Sequence, residues 1–395
     1  MVLEPSAYRP NVTATAADPI RVMVVDDSAV VRGLITRMLE SDTGFAVVAS
    51  VGNGQMALSA LERYDIEVII LDIEMPVMDG LTALPKLLKA DPDLQIIMAS
   101  TLTLKNADVS MRALEAGAAD YIPKPTSSRE ISGGPDFKQE LINKVRALGA
   151  ARRRTARRSR PGGGSPGLTS PVSGTVTSAP PVRVPVPIHP HAGPLVLRQA
   201  AIEPPDVIAI GSSTGGPQAL FSVLGALKAG SLRQPILITQ HMPPTFTTIL
   251  AEHITRISGW TAAEGKDGEV IQGNRIYIAP GDFHMVVEAK GTDKVIRLNK
   301  NPPENFCRPS VDPMLRSIAS AWGRRVLTVI LTGMGSDGLK GGQVVIGAGG
   351  TVIAQDEASS VVWGMPGAVA TAGICSAVLP LPEISQYILR LASRR

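Results

Sequence analysis

Apolar and polar residues alternate in the same style along two separate stretches of this chain, residues 20–145 and residues 204–393. Short apolar runs in each stretch predict strands, and the segments between them carry apolar residues at helical spacing. The predicted strands of the first stretch are residues 21–25, 46–51, 67–71, 95–99 and 120–123. Those of the second stretch are residues 207–210, 235–239, 275–279, 326–331 and 350–354. Strands that alternate with helices predict parallel sheets, so we expect two α/β domains, the second doubly wound and mostly parallel.

The segment between these stretches, residues 146–203, has neither pattern. Residues 161–194 contain nine prolines and six glycines, with no acidic and no aromatic residue. Such a composition buries too little apolar surface to offset the entropy of ordering. Six arginines lie between residues 152 and 160, and they could bind RNA, a membrane or an acidic partner. We favour a flexible linker that is rich in arginine, proline and glycine, and we assign no role to the N-terminal extension, residues 1–19.

Composition narrows the class of protein. The chain has 395 residues, 44% of them hydrophobic, which is enough for two cores. We find no apolar run long enough to span a membrane and no signal peptide, so membrane insertion is not expected and the cytoplasm is the expected compartment. The net charge is +4, but without the six clustered arginines it would be −2, and no helix-turn-helix pattern follows. We therefore expect no nucleic-acid partner.

Five polar groups lie at the ends of the predicted strands of the first domain, the edge where open α/β sheets bind ligands. They are Asp26, Asp27, Asp72, Ser100 and Lys124. Converging carboxylates favour a hard cation such as Mg²⁺, and once their charge is neutralised one of them can attack a phosphoryl group. A simpler interpretation is that the Asp26–Asp27 pair caps the following helix, but capping does not explain Asp72 or Lys124.

These segments resemble a response-regulator receiver domain, which has a flavodoxin-like (βα)5 fold. The matching motifs are V-V-D-D-S (24–28), L-D-I-E-M-P-V-M-D-G (71–80), A-S-T (99–101) and A-D-Y-I-P-K-P (119–125). The resemblance implies that Asp72 accepts phosphate and that Asp26, Asp27 and Asp72 bind Mg²⁺. Ser100 would be the switch hydroxyl and Lys124 the lysine that pairs with the phosphate.

In the second domain, a predicted strand leads into G-S-S-T-G-G (211–216), and a helix begins near Pro217. Ser213 lies between glycines at the spacing of a nucleophile elbow, and the N–H groups at a helix start can bind an oxyanion. A phosphate-binding glycine turn would explain this segment equally well. A histidine and an acid at other strand ends favour the hydrolase, because a serine needs a base and an orienting acid.

The candidates for those two roles are not equivalent. His241 follows a strand, as does His284, whereas His253 lies within a predicted helix. The other two histidines, 189 and 191, fall in the linker. Asp337 follows a strongly apolar strand, and its competitors at other loops are Asp282, Asp312 and Asp356. The order Ser213, His241, Asp337 differs from the Ser–Asp–His order of ordinary α/β-hydrolases.

The second domain resembles the chemotaxis protein-glutamate methylesterase/glutaminase family, CheB. The motifs in order are I-G-S-S-T-G-G-P (210–217), Q-H-M-P-P-T-F-T (240–247), A-P-G-D-F-H (279–284), R-P-S-V-D (308–312), L-T-G-M-G-S-D-G (331–338) and Q-D-E-A-S-S-V-V-W-G-M-P (355–366). The resemblance implies that Ser213 is the nucleophile, His241 the base and Asp337 the orienting acid. The N–H of Met334 would help to form the oxyanion hole. Thr214, which follows the nucleophile, is a second candidate on physical grounds.

The family further implies methyl-accepting chemoreceptors as substrates and a chemotaxis histidine kinase as phosphodonor, with no cofactor at the hydrolase site. This sequence departs from the family pattern at Cys307, where histidine is usual, and at Trp363, where tyrosine is usual. Two alternatives stay open: a related enzyme with a different protein substrate, and a binding module switched by phosphorylation.

Overall fold

The computed structural model describes residues 18–101, 103–124, 135–158 and 195–393. Its N-terminal domain has one parallel sheet with the strand order β2-β1-β3-β4-β5. The strands are β1 (Ile20–Val25), β2 (Phe45–Val51), β3 (Val68–Asp72), β4 (Gln95–Ser100) and β5 (Asp120–Pro123). The helices are α1 (Ala29–Glu40), α2 (Gly54–Leu61), α3 (Gly80–Ala90), α4 (Leu104–Glu115) and α5 (Pro135–Arg158). The five strands predicted from the sequence are confirmed.

The C-terminal domain is built on a sheet of seven parallel strands with the order β14-β13-β12-β6-β7-β9-β8. They are β6 (Val207–Ser212), β7 (Ile236–Gln240), β8 (Thr261–Glu264), β9 (Arg275–Ile278), β12 (Val326–Ile330), β13 (Thr351–Gln355) and β14 (Ala377–Leu379). The five predicted strands are confirmed, and they are nearly fully buried, which explains their continuous apolar runs. An antiparallel hairpin, β10 (His284–Lys290) and β11 (Asp293–Asn299), was not predicted, because much of it is polar and exposed.

Helices pack on both faces of this sheet, as a doubly wound domain requires. They are α6 (Gly216–Ala226), α7 (Phe246–Ser258), α8 (Val311–Trp322), α9 (Leu339–Gly347), α10 (Met365–Thr371) and α11 (Leu381–Ala392). No helix among the described residues is long and apolar enough to cross a lipid bilayer.

The predicted start of the flexible linker at residue 146 needs correction, because α5 continues to Arg158. Arg152 forms two hydrogen bonds with Asp91, at 3.0 and 2.6 Å, and Arg153 forms two with Glu67, at 2.5 and 2.7 Å. These partners are distant in sequence, so the arginine cluster could not be assigned to a helix from composition. At the other end, the N–H of Arg198 donates to the carbonyl of Cys375 at 2.8 Å. Residues 159–194 and 1–17 lie outside the described residues, and for them the linker and the extension stay predictions.

The two domains contact each other through α4 and β5 of the first and α6 and α7 of the second. We call this contact the domain interface. The rings of Tyr121 and Phe246 stack with their centroids 4.4 Å apart. His253 lies 3.1 Å from the carboxylate of Glu115, and the side-chain amide of Gln218 donates to the carbonyl of Ala118. The first domain therefore rests on the helices that follow β6 and β7.

Candidate functional site

Carboxylates and a lysine meet at the C-terminal edge of the N-terminal sheet. The ammonium of Lys124 lies 2.6 Å from Oδ2 of Asp26 and 2.7 Å from Oδ1 of Asp72. Asp26 and Asp72 are buried, whereas Asp27 is exposed. Adjacent parallel strands bring these residues together, because β1, β3 and β4 are neighbours and β5 follows at the edge.

The three aspartates can supply one oxygen each within 4.8 Å of one another. Oxygen donors that converge in this way fit a hard divalent cation such as Mg²⁺. The capping interpretation is wrong for the aspartates, since Ser28 is the N-cap of α1 and accepts from the N–H of Val31 at 3.4 Å.

Burial dominates the electrostatics of Asp72. It raises the pKa of this carboxyl to about 6, even though the hydrogen bond and charge of Lys124 oppose the rise. The pKa of Lys124 is also raised, because its contacts with the two carboxylates outweigh its own burial. Ser100 is buried at the end of β4, and its carbonyl accepts from the N–H of Lys124 at 2.7 Å. Lys124 is therefore held as a cation beside the two carboxylates, and its backbone is tied to the end of β4.

In the C-terminal domain, Ser213 occupies the turn between β6 and α6. Gly215 adopts φ +72° at the start of the helix, a conformation that favours glycine. The buried side chain of Gln240 accepts from the hydroxyl of Ser212 at 2.6 Å and donates to the carbonyls of Ser213 at 3.0 Å and His241 at 3.3 Å. Gln240 thus ties the serine turn to the end of β7, where the histidine lies.

His241, directly after β7, and the buried Asp337, in the loop after β12, form a pair. Nε2 of His241 lies 2.8 Å from Oδ2 of Asp337. The same carboxylate accepts from the N–H of Val311 at 2.6 Å, from the hydroxyl of Ser310 at 2.8 Å and from the N–H of Asp312 at 3.0 Å. Burial alone would raise the pKa of Asp337, but these hydrogen bonds and His241 outweigh it and lower the pKa to about 2. Asp337 is therefore ionised at neutral pH.

The bond to Asp337 determines which nitrogen of His241 can act as a base. With a proton on Nε2, the lone pair lies on Nδ1, and no hydrogen bond joins His241 to the Ser213 hydroxyl among the described residues. Burial would lower the pKa of His241, but the neighbouring Cys307 and Asp337 raise it well above its ordinary value. The neutral imidazole is consequently favoured by alkaline pH.

Three backbone N–H groups near the serine turn have no acceptor within the described part of the chain, those of Thr214, Gly215 and Met334. Met334 directly follows Gly333, which packs against the serine turn. A Cβ added at Gly333 would lie 2.9 Å from Cβ of Ser213 and 3.0 Å from its nitrogen, so only glycine permits this approach. Donors in these positions can stabilise an oxyanion.

The competing candidates occupy other environments. Both ring nitrogens of His284 meet backbone groups, the carbonyl of Pro302 at 3.1 Å and the N–H of Ser310 at 3.3 Å. His253 belongs to the domain interface, as described above. Asp282 is paired with Lys300 and Arg308, and Asp356 accepts from Ser359. Asp312 lies beside Asp337.

Trp363, the position where the family usually has tyrosine, uses its indole N–H to donate to the carbonyl of Gln355 at 3.0 Å.

Sequence reasoning missed three residues around this site, Gln240, Gly333 and Asn305. The first two fall inside quoted motifs, next to His241 and Met334, and that adjacency was the available signal. Asn305 contacts Asp337 across 32 residues, and nothing local marks it.

A phosphoacceptor-type carboxylate cluster on a (βα)5 domain, followed by a serine turn beside a histidine–aspartate pair, defines a response regulator with a hydrolase output domain. Residues 22–133 match the family model of the response regulator receiver domain, and residues 208–388 match that of CheB methylesterase.

The chain is 73% identical to protein-glutamate methylesterase/protein-glutamine glutaminase 1 of Paramagnetospirillum magneticum, over 96% of this chain and 98% of that protein. It is 62% identical to the protein of the same name from Rhodospirillum rubrum, over 96% and 97%. It is also similar to the crystal structure of the Thermotoga maritima CheB methylesterase catalytic domain, with 40% identity, coverage of 47% of this chain and 98% of that one, and a TM-score of 0.46.

The chain belongs to the protein-glutamate methylesterase/protein-glutamine glutaminase family. It is a chemotaxis enzyme of the CheB type that carries a receiver domain. The predicted fold class and enzyme class are confirmed.

Proposed function

We propose that Ser213, His241 and Asp337 are the nucleophile, the general base and the orienting acid of this enzyme. The substrates are the glutamyl γ-methyl esters of methyl-accepting chemoreceptors. The observation that carries this proposal is the 2.8 Å bond between His241 and the ionised Asp337, at strand ends adjacent to the Ser213 turn. Asp337 fixes the imidazole in the tautomer whose Nδ1 can accept a proton.

The hydrolysis proceeds in two acyl-transfer steps. Nδ1 of neutral His241 takes the Ser213 proton while the serine oxygen attacks the ester carbonyl, and the N–H groups of Met334 and Thr214 bind the resulting oxyanion. The C–O bond to methanol then breaks, and His241 returns its proton to the leaving methoxide. Water next attacks the acyl-serine with His241 as base, which releases the receptor glutamate and restores the Ser213 hydroxyl.

Glutamine deamidation uses the same groups with a different leaving group. His241 protonates the departing nitrogen, ammonia leaves, and the same acyl-serine is hydrolysed. One site therefore accounts for both activities named for the relatives.

In the receiver domain, Asp72 accepts a phosphoryl group from a chemotaxis histidine kinase. Asp26, Asp27 and Asp72 would hold Mg²⁺, and the bound ion would supply positive charge for phosphoryl transfer. Lys124 and Ser100 then hold the new phosphate oxygens. This proposal is supported by the short contacts of Lys124 with Asp26 and Asp72 and by the convergence of the three carboxylates.

Phosphorylation of Asp72 regulates the hydrolase through the domain interface. The receiver contacts α6 and α7, the helices that follow the Ser213 turn and the His241 loop, through the Tyr121–Phe246 stack among other contacts. A change in the receiver that weakens this interface would uncover the substrate side of the site. The enzyme acts in the cytoplasm, where these parts of the receptors lie, and needs neither nucleic acid nor membrane insertion.

The test is release of methanol from a methylated receptor cytoplasmic fragment, with phosphodonor and Mg²⁺ present. We expect Ser213→Ala to abolish release and to abolish labelling by a serine-directed phosphonate, as read by mass spectrometry. Ser212→Ala is the matched control, because its hydroxyl donates to Gln240 instead and labelling should survive.

Equal methanol release by Ser213→Ala and the unmodified enzyme would refute the assignment. Phosphonate labelling of Ser213 without methanol release would point to a different protein substrate. No labelling and no release by the folded, phosphorylated enzyme would point to a binding module.

A further inference from the structure

A short turn, residues 304–307, lies against the His241–Asp337 pair. The turn is closed by two backbone hydrogen bonds between Glu304 and Cys307, at 3.2 and 2.9 Å. Within it, Asn305 and Phe306 adopt φ +52° and +63°, a left-handed conformation that asparagine tolerates far better than most residues. The side chain of Asn305 is thereby directed to the carboxylates, while Phe306 is fully exposed.

The amide of Asn305 connects two buried acids. Its Nδ2 donates to Oδ1 of Asp337 at 2.9 Å and to Oδ2 of Asp312 at 3.1 Å. Both carboxylates are only 1% exposed. Two carboxylates so close would repel each other, and a donor shared between them offsets that repulsion. Among the described residues, Asn305 alone donates a side-chain hydrogen bond to both.

The remaining oxygens of the two acids already have fixed partners. Oδ2 of Asp337 faces His241, and Oδ1 of Asp312 accepts from the N–H groups of Gly338 at 3.0 Å and Gly341 at 2.7 Å, at the start of α9. The N–H of Gly338 also donates to Oδ1 of Asp337 at 2.9 Å, so backbone groups hold both acids at the start of α9. Asn305 adds the side-chain link, which joins the opposite oxygen of Asp312 to Asp337.

We propose that Asn305 is a positioning residue for hydrolysis, whose amide clamps Asp337 to Asp312 and so keeps Oδ2 of Asp337 directed at His241. This inference rests on the roles proposed above for Ser213, His241 and Asp337. The residue has two tasks at once, since position 305 demands both a left-handed backbone and a side-chain donor. Glycine would satisfy only the first demand, and aspartate would satisfy the first while replacing the donor by a third carboxylate.

The charged and titratable groups that face the two acids come from several elements. They are His241 after β7, Cys307 in the turn, and the Arg316–Glu304 ion pair between α8 and the turn. Burial raises the pKa of Asp312, with the charge of Asp337 adding to the effect, whereas Asp337 is held ionised. Without the amide of Asn305, the two carboxylates of Asp312 and Asp337 lose a hydrogen-bond donor and become more basic. The His241–Asp337 pair should then bind a proton more readily.

The experiment compares Asn305→Gly and Asn305→Asp with the unmodified full-length enzyme, phosphorylated with phosphodonor and Mg²⁺, on the methylated receptor fragment. For Asn305→Gly we expect kcat to fall about tenfold, the size of one hydrogen bond to a charged group, with KM within about twofold. We also expect the acid limb of the kcat/KM profile to move to higher pH. Asn305→Asp should show a larger fall, because it adds a charge beside the acids.

Asn301→Gly and Asn301→Asp are matched controls at an exposed asparagine of the same loop, and they should behave like the unmodified enzyme. Unchanged kcat and an unchanged acid limb in Asn305→Gly would overturn the proposal. So would a fall in kcat that follows the melting temperature while the acid limb stays in place, because that result indicates a purely structural role.

The experiments distinguish a failure of the Asn305 proposal from a failure of the Ser213 assignment. Asn305→Gly should still form the phosphonate adduct on Ser213, only more slowly, whereas Ser213→Ala should form none. If Ser213→Ala is active, the assignment of the nucleophile is wrong, whatever the Asn305 variants show.

Discussion

Replacing Gly333 by alanine should displace the nucleophile without unfolding the domain. The new Cβ would lie 2.9 Å from Cβ of Ser213 and 3.0 Å from its backbone nitrogen, and it would also clash with Sδ of Met365. The Met365 side chain can rotate, but the serine turn is backbone, held to Thr332 by a 3.0 Å hydrogen bond. Ordinary contact begins near 3.4 Å, so the turn must move by about 0.5 Å relative to Gly333.

The kinetic cost of this displacement can be estimated. A misplacement of about 1 Å costs on the order of 100-fold in rate, so about 0.5 Å should lower kcat about tenfold. The loss should exceed this estimate if the N–H of Met334 moves together with Gly333, because the oxyanion donor is then displaced as well. KM should change little, since Gly333 is buried and its added methyl group would meet Met365 and Ser213.

The assay is the initial rate of methanol release as a function of receptor-fragment concentration, which separates kcat from KM. Gly225→Ala is the matched control, because a Cβ there meets nothing within 4 Å on α6. Its kcat should be unchanged, and its free energy of unfolding should increase by about 0.5–1 kcal/mol. A folded Gly333→Ala enzyme with normal kcat would refute the close-approach argument and weaken the placement of the Met334 donor.

Three further predictions concern Cys307, Asp72 and the domain interface. Cys307→Ser removes a group that raises the pKa of His241, so the acid limb of the kcat/KM profile should move to lower pH; an unmoved limb would contradict this coupling. Asp72→Asn should abolish the response of activity to phosphodonor, and chelation of Mg²⁺ should do the same in the unmodified enzyme; a full response in either case would exclude Asp72 phosphorylation as the switch. Glu115→Ala removes the 3.1 Å contact with His253 and the exposed 3.9 Å ion pair with Arg256, and activity without phosphodonor should rise by up to about fivefold, the value of one exposed ion pair. Unchanged or lower activity would indicate that this contact does not restrain the hydrolase.

Local pattern was sufficient for the strands and for many of the chemical groups. Parallel strands that are covered on both faces need continuous apolar runs, and a ligand-binding group directly after such a run is visible in the sequence. Asp72, Lys124 and His241 are identifiable for this reason. The hairpin β10–β11 escaped prediction because only part of each strand is buried, so it shows neither a long apolar run nor a regular alternation of apolar and polar residues.

Contacts between residues that are far apart in the chain could not be predicted from local sequence patterns. From composition, the arginines of α5 were predicted to belong to a flexible linker. In the structure, Arg152 pairs with Asp91 and Arg153 pairs with Glu67. These ion pairs join residues 61 and 86 positions apart, and composition cannot reveal them.

The sequence by itself determined which side chains stand at strand ends, and therefore the kind of chemistry available to each domain. Only the tertiary structure decided which of them act together. The strand order β12-β6-β7 makes the ends that carry Asp337, Ser213 and His241 neighbours, whereas His284, equally placed after a strand, turns both ring nitrogens to backbone groups. Adjacency in a sheet and the return of a loop such as residues 304–307 depend on packing across the whole domain, which no local window of residues contains.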